Sequence, residues 1–475
     1  MGRPGLRRPG PWLVQHGLRA PPPASPSRAR GARLACGCII RVVNHASRSP
    51  RADRPARIAA AILLAAATAA CGSSAPTLSP GGSLSPTLPP SASVPASSSP
   101  TATPNISIVP VPTSRLAAPS SFAANLDPAK ATALQAALNG IRSGGKYPGV
   151  SAAIVFPDGS TWTGVSGAAI LSPATPLTTD TLFSVGSISK TFVAALVCRL
   201  AMAGTIGLDD PLSSYVPTFP NAASITIQEL LDHTSGIRDI VDPTYSAAFS
   251  AAILAHPGAT WTAAQVLAQV GPRYFAPGTG YHYSNTDFIL LGEVVEKATG
   301  QTVAALVRSM FLTPLGLDHT YLQTEEQAQG PEAHGYMGTA STKPRDNSAG
   351  SMLPFTAEAT AFGFAGAYVS TASDLALWAN ALYSGDVLDL ATLASMVDIS
   401  PSMAFKVKPS YPYGFGFEET TMAGQLAWGH RGHLDGFWSA MEYLPAYHVT
   451  VVVLTNAEWA NPIAASSTLA RIAIT

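Results

Sequence analysis

Apolar residues recur along this chain in different rhythms, and each change of rhythm marks a change of organisation. Ile58 to Ala70 is an almost unbroken apolar run of 13 residues. That is too short for a bilayer, which takes about 20. Residues 72–120 have no rhythm: 18 Ser/Thr and 11 Pro among 49 residues, with the single charge of Arg115, cannot bury a core and predict an extended tether. Regular patterning begins near Leu126. Leu134, Leu138 and Ile141 share one face of a predicted helix over 128–142, with Pro128 at its start. Gly149–Phe156 and Ser160–Ala169 flank Pro157-Asp158-Gly159 and predict a β-hairpin. Helical spacing broken by Pro and Gly dominates roughly 188–385. Strand patterns return at Gly436–Pro445 and His448–Asn456, and a closing helix is predicted at 462–473. No internal repeat is evident.

Strands at both ends of a helical middle predict an α+β fold. Its antiparallel sheet is flanked by helices and completed by the C-terminal strands. An all-helical subdomain is inserted at roughly 205–385, within a domain spanning 126–475.

Charge changes the picture of the N-terminal part. The formal net charge is zero, yet residues 1–57 hold 12 Arg, no Lys and one acid, Asp53. A leader of net +11 therefore precedes a remainder of net −11. An acidic body argues against nucleic acid as a partner, because phosphate binding needs clustered Lys and Arg. Arg51, Arg54 and Arg57 ahead of the apolar run form an export signal. Thr68-Ala69-Ala70-Cys71 resembles a bacterial lipoprotein cleavage box, which predicts lipid on Cys71; the alternative is an ordinary signal peptide cut nearby. The expectation is a leader over 1–70, a tether over 71–125, and a body held outside the cytoplasm by a lipid anchor or secreted. The late position of the signal predicts that Met1 lies upstream of the true start. Cys36 and Cys38 fall in the leader without matching metal ligands. Cys198 alone lies in the body, so no internal disulfide is expected, and its helical setting predicts a buried small hydrophobe.

Three short motifs carry candidate chemistry. Ser187 and Lys190 are three apart at the start of a predicted helix and share a face. There an amine can touch the hydroxyl, and helix N–H groups favour developing negative charge. A lysine of lowered pKa can activate a serine, although on this motif alone a serine at a helix start is better read as a cap. Tyr283 and Asn285, two apart in an extended loop before another helix, can aim into one cleft, with the phenol as a proton carrier. Packing and capping are the alternatives for this pair. In Gly429-His430-Arg431-Gly432-His433, Gly432 lets the backbone approach a ligand, and the N–H groups of His433 and Ser187 can form an oxyanion site. His430-x-x-His433 has a zinc-like spacing, but Gly432 and Gly436 mark loop and strand, and no third ligand stands out, so no metal is predicted.

S-x-x-K, Y-x-N and H-x-G in that order resemble the penicillin-recognising serine hydrolases, specifically class C β-lactamases and the secreted D-alanyl-D-alanine carboxypeptidases of actinobacteria. The resemblance covers about residues 130–458, with support from Leu230–Ile237, Tyr283–Gly292, Pro314–Leu322 and Ala365–Leu375. His430 in place of Lys is similar to the carboxypeptidases and many related esterases. The resemblance implies that Ser187 is acylated, Lys190 and Tyr283 share proton transfer, Asn285 orients the substrate amide, and His430 supports Tyr283 and the substrate. It also implies cell-wall peptides as substrates, β-lactams as acylating inhibitors, and no cofactor. An esterase or a class C-like β-lactamase is the alternative within this chemistry, and an inactive penicillin-fold binder the alternative outside it. One stretch departs from the pattern. Where such carboxypeptidases carry an arginine for the peptide carboxylate, this chain has Phe415-Gly-Phe-Glu418-Glu419. Either Arg431 substitutes or the substrate lacks a carboxylate.

Overall fold

A computed structural model of the chain describes residues 126–323, 325–348, 355–405, 409 and 411–475. The leader, Cys71 and the tether lie outside the described residues.

Helix α1 (Pro128–Gly145) starts as the sequence predicts: the Asp127 side chain accepts from the Ala129 N–H, and Pro128 fills the first turn. It runs three residues beyond the predicted end, to a left-handed cap at Lys146. β1 (Gly149–Val155) and β2 (Thr161–Leu171) form the predicted hairpin. β3 (Ala174–Pro176) extends it, and β4 (Glu418–Met422), β5 (Gln425–Leu434), β6 (Phe437–Leu444) and β7 (Val449–Thr455) complete the sheet. Among the described residues these seven strands form one antiparallel sheet, in the order β3-β2-β1-β7-β6-β5-β4. Strands β1 and β7 meet at its centre, where Val150 pairs with Thr455 and Val155 with Thr450.

Both faces of the central strands are buried, which is why β1 and β7 read as continuous apolar runs rather than alternating ones. On one face α1 and the closing helix α5 (Pro462–Ala473) cover Val150, Ala152, Ile154, Val451 and Val453 with Leu134, Leu138 and Leu469. The other face packs against the larger core, which contains α2 (Ser189–Met202) and α4 (Ala372–Tyr383). α2 is buried on all sides, consistent with apolar residues around its whole circumference. Phe192 at its start is stacked against Tyr368 and Trp378, with ring centroids 4.8 and 4.4 Å away. That clamp fixes the first turn of α2, which carries Lys190.

Most of the described helices fall within 205–385, including α3 (Asn285–Thr299), which is ended by left-handed Gly300. The same stretch also holds short strands, Tyr321–Leu322, Tyr336–Met337, Arg345–Asp346 and Tyr368–Ser370. The first and last of these join Phe183–Ser184 in a small sheet. Two- and three-residue strands show no alternation, so hydrophobic patterning cannot reveal them. None of the described helices is long and apolar enough to cross a membrane.

Candidate active site

Ser187 lies in a single 3₁₀ turn, Gly186–Ile188, that leads into α2, rather than in the first α-helical turn. Strand β5 presses directly on this turn. A Cβ on Gly432 would lie 1.8 Å from the Val185 carbonyl oxygen, so any larger residue would push strand and turn apart. The contact is reciprocal: Gly186 has φ +54, and a Cβ there would lie 2.5 Å from the backbone nitrogen of His433. The Ser439 hydroxyl on β6 donates to the Val185 carbonyl at 2.9 Å. Backbone atoms of residues 186–187 and 432–433 are thus held side by side.

Lys190 is fully buried, and its three donors have three acceptors: Ser187 Oγ at 3.1 Å, Asn285 Oδ1 at 2.8 Å and the Ala365 carbonyl at 2.8 Å. Burial pushes its pKa down to about 7, against the opposing pull of Asp239, Glu418 and Asp287. The Tyr283 hydroxyl lies 2.8 Å from Ser187 Oγ, and the Lys190 ammonium sits 4.9 Å from the tyrosine ring centroid. Burial drives the phenol well above its usual range, so Tyr283 keeps its proton at neutral pH. Of the two groups touching Ser187, Lys190 is therefore the one able to accept a proton.

Asn285 begins α3 with both ends of its amide engaged, Oδ1 with Lys190 and Nδ2 with both Asp239 oxygens at 3.2 Å. It holds Lys190 rather than lining the cavity beyond. His430 is buried; its Nε2 is 3.1 Å from the Tyr413 hydroxyl and its Nδ1 meets the Arg431 carbonyl. Burial lowers its pKa to about 4, so it is neutral. No hydrogen bond joins it to Tyr283, whose ring centroid is 6.3 Å away; the Tyr413 ring packs beside both, at 5.8 Å from Tyr283 and 5.7 Å from His430.

Arg431 and Glu418 form a bidentate pair, with Nε and Nη2 donating at 2.8 and 2.9 Å. Tyr411 caps the guanidinium, its ring centroid 3.4 Å from Cζ. Burial alone would raise the Glu418 pKa, but His430 and Arg431 outweigh it and hold the carboxylate below its usual range. Glu418 is thus a partnered charge, and Glu419, the next residue on β4, faces the other side of the sheet. His433 turns its side chain to Glu458 at 2.9 Å. An odd spacing along β5 sends His430 and His433 to opposite faces, which removes the shared zinc site suggested by their interval. His433, Asp435 and Glu458 can bring one ligand atom each within 4.8 Å, although His433 and Glu458 are already hydrogen-bonded to one another.

Ser187 opens into a cavity of about 480 Å³ walled by Tyr281, Tyr411 and Trp438, with Arg431, Glu418 and His433 on its margin. Cys198 is buried away from it and its thiol pKa is pushed up to about 12 by burial, so it is an inert core residue.

Sequence reasoning missed four contributors. Asp239 holds Asn285, and Tyr413 bridges towards His430. His233, at φ +61 and fully buried, lies 4.5 Å from the Tyr283 ring and pairs with Asp287 at 2.8 Å. The Ser235 hydroxyl donates to the other Asp287 oxygen. The stretch Leu230–Ile237 signalled this loop, but only tertiary packing brings it under Tyr283.

A family profile described as Beta-lactamase matches residues 132–473. An unguisins hydrolase of Aspergillus campestris is 30% identical over 336 residues, covering 66% of this chain and 59% of that protein. This chain therefore spans about three-fifths of the length of that relative. Penicillin-binding protein 4 of Amycolatopsis lactamdurans is 29% identical, covering 68% of this chain and 84% of that one. Among solved structures, a D-amino acid amidase from Ochrobactrum anthropi SV3 complexed with L-phenylalanine amide superposes with a TM-score of 0.63. It is 26% identical, and the match covers 72% of this chain and 97% of the amidase. With a profile match that takes in the sheet, α2, α3 and every residue of the Ser187 cluster, the chain belongs to the β-lactamase family of hydrolases, the family of the serine β-lactamases and penicillin-binding proteins.

Proposed function

We propose that the protein is a serine hydrolase that cleaves an amide or ester through an acyl-enzyme on Ser187. The observation that carries this reading is the convergence of Lys190 and Tyr283 on Ser187 Oγ, at 3.1 and 2.8 Å. In the first step Ser187 Oγ bonds to the substrate carbonyl carbon while its proton passes to neutral Lys190. Negative charge develops on the carbonyl oxygen, facing the N–H groups of Ser187 and His433. As the leaving group departs it takes a proton from the Tyr283 hydroxyl, which is refilled from Lys190. Water then adds to the ester carbon, gives its proton to the same pair, and releases the acid and Ser187.

The substrate reading follows from the Glu418–Arg431 pair. Among the described residues that line the cavity, Arg431 already has its charge balanced by Glu418 and is not free for a peptide carboxylate, which favours donors with an uncharged leaving side, such as amides and esters. A D-alanyl-D-alanine carboxypeptidase acting on cell-wall peptides is the second reading. It is favoured by the penicillin-binding relative and by the 24% of the Arg431 side chain that stays accessible. An inactive binder is disfavoured because Ser187, Lys190, Tyr283 and Asn285 form one continuous hydrogen-bonded set. We further propose that the protein works outside the cytoplasm on a lipid anchor at Cys71. Radiolabelled palmitate incorporation that persists in Cys71→Ala would refute the anchor.

The experiment is a comparison of D-alanine release from a D-alanyl-D-alanine peptide with hydrolysis of a D-amino acid amide and a p-nitrophenyl ester, for wild type and Ser187→Ala. Turnover of the amide or ester by wild type alone is the expected result. Turnover retained in Ser187→Ala, or D-alanine release as the fastest reaction, would reject the mechanism or the substrate class respectively.

A further inference from the structure

The loop after the short helix Ile227–Leu231 turns through His233 and Gly236, both in the left-handed region, and delivers Asp239 beneath α3. Asp239 is 8% exposed. Its carboxylate accepts from the Val241 N–H at 3.3 Å, the Asn285 N–H at 3.2 Å and Asn285 Nδ2 at 3.2 Å to each oxygen. Burial raises the pKa of this carboxyl, while the N–H donors of Val241 and Asn285 and the nearby Lys190 charge oppose burial and favour the ionised form.

A carboxylate offers only acceptors, so the end of the Asn285 amide that faces it must be the NH₂. The carbonyl end is thereby turned to Lys190, which it meets at 2.8 Å. The reversed amide would set NH₂ against ammonium and carbonyl against carboxylate, two repulsions in place of two bonds. One side chain therefore decides the orientation of another, and through it the hydrogen bond that aims Lys190 at Ser187.

The charged and titratable groups around Lys190 come from four elements. Asp287 on α3 is tied to His233 and Ser235, and burial pushes its pKa well above the carboxylate range. Glu418 on β4 is neutralised by Arg431. His430 on β5, His233 in the loop and Tyr283 before α3 are buried; burial lowers the pKa of both histidines and raises that of the phenol. Asp239 differs from Asp287 and Glu418 in having the Asn285 amide, and behind it Lys190, as its route to a positive charge.

We infer that Asp239 is a positioning residue of the acyl-transfer reaction, acting through the Asn285 amide to aim the Lys190 amine at Ser187 and to set the pH at which that amine becomes neutral. The inference rests on the reading that Ser187 is acylated.

The test is the pH dependence of p-nitrophenyl ester hydrolysis by wild type, Asp239→Asn and Asp239→Glu, with fluorescent-penicillin labelling of wild type and Ser187→Ala alongside. Loss of the Asp239 charge removes support for the ammonium, so the acidic limb of kcat/KM in Asp239→Asn moves to lower pH, by about 1 unit. Its plateau kcat falls about 10-fold or more with KM within about 3-fold, the signature of a misaimed base rather than a lost binding contact. Asp239→Glu returns the limb to the wild-type pH with a kcat between the two. A merely structural carboxylate would lower activity and leave the limb where it is. An unmoved limb in Asp239→Asn, or a limb that Asp239→Glu fails to return, overturns the inference. Asp239→Ser replaces Asp239→Asn if the latter does not fold, and failure of both to fold assigns Asp239 to stability alone and equally overturns it. Hydrolysis and labelling by wild type that persist in Ser187→Ala would instead overturn the acyl-enzyme reading, so the two failures are distinct.

Discussion

The two walls of the Ser187 cleft are built on opposite principles. The wall made by α2, α3 and the Asp239 loop is dry and joined by a hydrogen-bonded chain: Lys190, Asn285 and Asp239 are buried, and the Asn285 amide links the other two. The wall made by β4 and β5 is half open, with Arg431 and His433 reaching the cavity margin and aromatic rings around them. The dry wall perturbs pKa values and holds geometry, which is what proton transfer needs. The open wall has exchangeable charge and shape, which is what substrate choice needs. On the proposed function, chemistry and specificity are separated in space, and changes on one side should not mimic changes on the other.

The largest effect expected on the dry wall, short of removing the nucleophile, comes from Tyr283→Phe. It removes the hydroxyl 2.8 Å from Ser187 and should lower kcat by about 10²–10⁴ with little change in KM. Steady-state kinetics on an ester would measure it, and a change confined to KM would contradict the division between the walls. Next is the pH dependence. Because burial lowers the Lys190 pKa to about 7, and only the neutral amine can accept the serine proton, kcat/KM should rise as pH passes upward through neutrality and be lost below it. His430, held near 4 by burial, is already neutral there and should contribute no inflection.

On the open wall, Glu418→Gln releases Arg431 from its bidentate partner. A charge-assisted bond of about 1.5–3 kcal/mol then becomes available to a substrate carboxylate. The ratio of kcat/KM for a carboxylate-ending peptide over its amide should rise about 10-fold, as competition between the two substrates would reveal. An unchanged ratio would remove Arg431 from substrate selection. The smallest effect belongs to His433→Ala. Its side chain pairs with Glu458, at the partly exposed rim, while only its backbone abuts Gly186, so kcat should stay within about 3-fold.

The same contrast explains what the sequence made legible. Helix α1, the β1–β2 hairpin, the late strands and α5 announce themselves by periodicity and turn chemistry, and Ser187, Lys190, Tyr283 and Asn285 by motif spacing. Their convergence was expected only from the resemblance that the three motifs carry together, since each alone left a cap or packing reading open. Asp239 was silent, since an aspartate in a loop has no spacing rule that links it to an amide 46 residues away. The Glu418–Arg431 pair was not legible in the sequence for a related reason. The pair depends on the β4–β5 register, in which Glu418 stands opposite Gly429 and Arg431 lies diagonally beyond it on the same face. Register is a tertiary property here, set by a tight turn at Ala423-Gly424 with both residues at positive φ. The hydrogen bond of His430 likewise goes to Tyr413, a residue outside every motif, and not to Tyr283.

The most direct test of the central claim is the intact mass of the protein quenched during turnover of a slowly released penicillin or ester, followed by mapping of the modified peptide. The account predicts a mass increase equal to one acyl group, located on the peptide containing Ser187 and absent from Ser187→Ala. An acyl group mapped to any other residue, or turnover of the substrate by Ser187→Ala at the wild-type rate, would contradict it.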